Sequence, residues 1–138
     1  MSQPFRVSVA VAAAAFVALS LGCSGGPGVT AGVPLPADWP TDLPTYPGAE
    51  VMNATNGPGS DGADAWSATL QTTDATDKVH DFYMDAVKAP YAVTFDMSSG
   101  TTTGLNFATA DQKSMIAVTA DSSSGPTTLV AISLTRQR

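Results

Sequence analysis

Two residue types in this 138-residue chain stand out by scarcity: one cysteine, Cys23, and one histidine, His80. A thiol can take a lipid, a metal or a disulfide partner. With no second cysteine, the disulfide and the paired-cysteine zinc site are excluded. His80 is the only side chain whose ordinary pKa lies near neutrality, so it is the one candidate general base, with Asp77 and Asp81 beside it in sequence. A lone histidine falls short of a multi-histidine metal centre. Thirteen serines offer nucleophiles in such excess that none is singled out, and no G-x-S-x-G elbow occurs. A boundary histidine held by its neighbours accounts for His80 without catalysis. A small hydrolase pairing it with an aspartate therefore ranks second.

The carboxylates are dispersed. Asp74, Asp77, Asp81 and Asp85 share a helix face with Lys78 and Lys88, a pattern typical of a solvated surface. No spacing sets two acids across a cleft, as glycoside hydrolysis requires. Asn56, Ser60, Asp61 and Asp64 offer oxygen ligands, but the register of a calcium loop and its distal glutamate are missing. No metal site, cofactor or catalytic residue is assigned. Twelve acidic residues against six basic ones, a net charge of −6, exclude a nucleic-acid partner. Among the aromatics, Trp66, Tyr83 and Tyr91 fall on core-facing registers. Trp39 and Tyr46 remain as the candidate ligand-binding pair, in a groove between their own segment and the sheet.

The elements that must position these groups follow from periodicity. Residues 1–22 read as an export signal: Arg6, then an uncharged apolar run over 7–21 that ends in Gly22. As helix that run spans about 22 Å, short of the roughly 30 Å needed to cross a bilayer. Residues 23–36 are rich in glycine and proline and read as a flexible linker. The folded domain is expected over 37–138. It opens with a lead-in over 37–48 whose prolines, Pro40, Pro44 and Pro47, exclude helix. Over 74–89, Val79, Phe82, Tyr83, Ala86 and Val87 make a single apolar stripe, with Thr73 or Asp74 as cap and Pro90 as stop. Alternation predicts strands over 49–54, 64–72, 91–97, around 105–107, over 115–120 and over 129–134, separated by short polar loops. The predicted order is β-β-α-β-β-β-β. The predicted fold class is α+β, a single amphipathic helix packed on a curved antiparallel sheet.

Leu19-Ser20-Leu21-Gly22-Cys23 resembles the lipobox of bacterial lipoproteins, with Ser20 where leucine is usual. The resemblance implies cleavage before Cys23, a diacylglycerol thioether on its sulfur and an acyl chain, such as palmitate, on the new amino group. The lead-in Tyr46-Pro47-Gly48-Ala49 and the pattern Thr72, Asp74, Val79, Phe82, Tyr83 resemble a loose group of small exported bacterial lipoproteins, and imply fold rather than activity. The expected protein is attached to the cell membrane or outer membrane through lipid at Cys23, facing away from the cytoplasm. Its domain is expected to act as a binding or structural module for an envelope protein or glycan. The alternatives are the His80 hydrolase and an inhibitor-like module presenting the loop over 121–127.

Overall fold

The computed structural model describes Val29, Thr30 and residues 32–138. The export signal and Cys23 lie outside the described residues. Seven strands and one α-helix follow the order β1 (Val29–Thr30), β2 (Ala49–Pro58), β3 (Asp64–Thr72), α1 (Thr76–Ala86), β4 (Ala92–Ser99), β5 (Thr102–Ala108), β6 (Ser114–Asp121) and β7 (Thr128–Arg136). They form one sheet in the order β1-β2-β3-β7-β6-β5-β4. The fold is α+β, and β2 to β7 with α1 reproduce the predicted order. The six main strands are antiparallel; only the two-residue β1 runs parallel to its neighbour β2. The sheet is open, with β1 and β4 at its two edges.

Strict alternation sorts each central strand into a core face and an outer face. In β6, Ile116, Val118 and Ala120 are buried while Met115, Ala117 and Thr119 are exposed. In β7, Val130, Ile132 and Leu134 are buried beside them. Two elements cover this face. The helix lays Val79 and Tyr83 over β5 and β6, and the lead-in adds Leu43 and Tyr46 to the same cluster. Phe82 joins the two covers, edge-on to Tyr46 at 5.2 Å and to Tyr83 at 5.0 Å. The lead-in is turned rather than simply extended: the Trp39 and Leu43 amides donate to the carbonyls of Pro36 and Pro40.

The structure departs from the sequence reading at three further places. The end of the expected linker already lies on the domain: Val33 N–H donates to the Val51 carbonyl at 2.9 Å, and a Cβ on Gly32 would sit 2.5 Å from that oxygen. The helix is shorter at both ends than 74–89. It is capped by Ala75 with no side-chain hydrogen bond, because Asp74 receives the Tyr46 hydroxyl instead, and Val87 turns out of the helix to bury its side chain. In β4, Val93, Phe95 and Met97 are 43%, 47% and 45% exposed. A register shift between Val93 and Phe95 puts Phe95 and Met97 on the outer face, beside the space left by Gly104.

Candidate binding cleft

Where the helix does not reach, the core face runs on as a polar cleft. The β2–β3 hairpin sets Asn56 opposite Trp66 and Pro58 opposite Asp64, and β3 sets Asp64 opposite Arg136. Period-2 geometry therefore brings Asn56, Pro58, Asp64, Trp66 and Arg136 to one face. Asp38 enters from the lead-in above them. One of its carboxylate oxygens accepts Asn56 Nδ2–H at 2.7 Å, and the other accepts Trp66 Nε1–H at 3.2 Å. Arg138 grips Asp64 through Nε at 3.2 Å and Nη2 at 2.6 Å. The cavity these groups line with Gly57 measures about 390 Å³.

A second layer fixes the floor. The Arg136 guanidinium lies 5.6 Å over the half-buried Trp66 ring, and donates to both oxygens of Asp42 at 2.8 and 3.1 Å. Tyr91 completes the clasp, its hydroxyl donating to Asp42 at 2.6 Å. Burial works to raise the Asp42 pKa, but the Tyr91 and Arg136 donors outweigh it and hold the carboxyl below its ordinary range. Donors from Asn56 and then Trp66 lower Asp38 in the same way, and Arg138 lowers Asp64. Neither cleft carboxyl carries a proton to lend at neutral pH. The lining offers carboxylate and guanidinium groups, an amide and an indole, all of which can hold a polar ligand.

The candidate residues from sequence fall as follows. Cys23 lies outside the described residues. Tyr46 is 6% exposed, donates to Asp74 at 2.7 Å, and has its pKa pushed up to about 12 by burial and then by Asp74. Trp39 is half-buried against the core and donates from Nε1 to the Leu43 carbonyl at 2.9 Å. Neither Trp39 nor Tyr46 lines the cleft beside Trp66, to which the lead-in contributes Asp38. His80 bridges helix and edge strand: Nε2 lies 2.9 Å from Asp96 and Nδ1 lies 3.1 Å from Asp81. The protonated ring donates to both carboxylates, whereas a neutral ring has one N–H and can donate to only one. The hydrogen bond to Asp96, then the one to Asp81, raises its pKa against the pull of burial.

Asn56 and Asp64 are engaged with Asp38 and Arg138, and no group of three or more His, Cys, Asp or Glu side chains converges among the described residues. In the loop over 121–127, Asp121 accepts the Ser123 amide at 2.7 Å and Ser122 bonds the Thr101 carbonyl, which folds the loop onto the β4–β5 turn. A depression of about 190 Å³ on the outer sheet face is lined by small side chains such as Ser67, Thr69 and Ala117, with no charged or aromatic group. No helix among the described residues is long and apolar enough to cross a membrane. Compared with known proteins, the chain matches no family model, no curated protein and no solved structure.

Proposed function

We propose that this is a lipid-anchored cell-envelope protein whose α+β domain is a binding module. The observation that carries the anchor is Cys23 itself, the only thiol, placed directly after an uncharged apolar run and the small residue Gly22. Two acyl chains on its sulfur hold a protein stably on a membrane, since each buried methylene contributes about 0.8 kcal/mol. No basic patch is then required, in keeping with the acidic composition. The cleft beside Trp66, furnished for recognition and not for proton transfer, supports a binding role over hydrolysis.

Metabolic labelling with an alkynyl fatty acid tests the anchor. Wild-type protein should carry the label and sediment with membranes. Cys23→Ser should carry none and move to the soluble fraction. A labelled, membrane-bound Cys23→Ser chain would refute the reading.

A further inference from the structure

We propose that the cleft bounded by Asp38, Asn56, Asp64, Trp66 and Arg138 binds a saccharide, that is, a neutral polyhydroxylated ring. This rests on the binding-module reading and is independent of the anchor. The volume of about 390 Å³ lies at the lower end of the range of small-molecule sites. The floor is an indole, and the walls are planar polar groups: two carboxylates, an amide and a guanidinium.

The charge pattern selects the ligand. An anion entering the cleft would meet Asp38 and Asp64. A cation would meet Arg138, which is already bound to Asp64, while Asp38 has only neutral partners, so the pattern argues more strongly against an anion than against a cation. A neutral ligand meets neither penalty. Each sugar hydroxyl both donates and accepts, so it can serve carboxylate oxygens that accept and Asn56 or Arg138 nitrogens that donate. The C–H face of a pyranose is apolar and suits contact with the part of the indole that Arg136 and the core leave open.

The platform is also held before any ligand arrives. Trp66 is tied through Nε1 to Asp38, covered by Arg136 on the ring and packed against the core, so little order is lost on binding. Both carboxyls are ionised at neutral pH, so the bound ring would be retained and not cleaved.

The test uses the full chain labelled with ¹⁵N, titrated with chitotetraose, cellotetraose and maltotetraose while the two tryptophan Nε1–H signals are followed. The Trp39→Phe chain assigns them. At least one oligosaccharide should move the Trp66 signal saturably with a Kd on the order of 1 mM, while the Trp39 signal stays in place. Asp38→Ala and Asn56→Ala should each weaken binding by about tenfold or more and leave the rest of the spectrum unchanged. The proposal is overturned if no oligosaccharide moves the Trp66 signal at concentrations on the order of 50 mM. It is equally overturned if Asn56→Ala binds as tightly as wild type, or if lysine amide or pyrophosphate binds and the sugars do not. Titrating Cys23→Ser in parallel separates the two claims. A delipidated chain that binds sugar upholds the cleft whatever holds the protein to its membrane, and a lipidated chain that ignores sugar sinks the cleft alone.

Discussion

Tyr83 shows how closely a single side chain can be read. Its ring is fully buried at the centre of the helix stripe, yet its hydroxyl is the one buried side-chain polar atom without a partner among the described residues. The Tyr46 main chain lies near it but falls short of hydrogen-bonding geometry, and burial pushes the hydroxyl pKa well above its ordinary value. A buried hydroxyl that gains no bond is a desolvation cost. Tyr83→Phe should therefore leave stability unchanged or raise it by up to about 1 kcal/mol, measured as a higher midpoint in urea unfolding with the same slope. A loss of stability would mean that the hydroxyl has a partner. The apolar stripe announces that Tyr83 is buried; nothing in the sequence says that its oxygen goes unmatched. Trp66 shows the opposite limit. Its register correctly marks it as core-facing, but its exposed edge depends on where the helix stops covering the sheet, and on Asp38, Asn56 and Arg138 arriving from three separate stretches of chain.

Among the elements, the helix carries the clearest unused gain. Ala75 has the extended backbone of an N-cap, φ −70° and ψ 158°, and no side-chain oxygen for the first-turn amides, of which that of Lys78 already donates to Asp77 at 2.9 Å. Ala75 is exposed, so a hydroxyl there has room. Ala75→Ser should stabilise the protein by roughly 0.5–1 kcal/mol, visible as a rise of a few degrees in Tm. An unchanged or lower Tm would show that the serine oxygen does not reach the first-turn amides. The strands and the helix were legible because burial on one face imposes a period of 2 or of 3.6. The failures have physical causes as well. A two-residue strand such as β1 has no period to detect. A one-residue irregularity in β4 reverses which face every later side chain takes, so the alternation of Phe95 and Met97 was visible while its direction was not. The cap was misplaced because Asp74 has a better use: its side chain receives Tyr46 and its carbonyl receives Thr128.

At the scale of the whole molecule, pH should bracket stability from two sides. Asp42 has a folded pKa below its ordinary 3.8, so its clasp with Arg136 and Tyr91 contributes above that value and is lost as pH falls through the lower folded pKa. His80 has a folded pKa above its ordinary 6.5. Its bridge to Asp96 and Asp81, with Asp77 one turn back, contributes fully below 6.5 and is lost as pH rises through the raised folded pKa. Both contributions are complete between 3.8 and 6.5. Urea midpoints measured across pH should be highest in that window. His80→Gln should flatten the decline on the alkaline side, and Asp42→Asn should reduce the one on the acid side. A wild-type midpoint that rises steadily above pH 7 would contradict the sign assigned to His80.

The route of the chain from Val29 to the core has a mechanical consequence. Tension applied ahead of Val29 meets the short β1 pairing first, then the Val33 amide on Val51, then Asp38 on Asn56 and Trp66, and only afterwards the buried Leu43 and the Asp42 clasp. For a chain pulled from Val29, the wall of the cleft thus lies upstream of the fold's first firm grip. A tug strong enough to strip those few bonds would withdraw Asp38 and widen the cleft while β2 to β7 stayed paired.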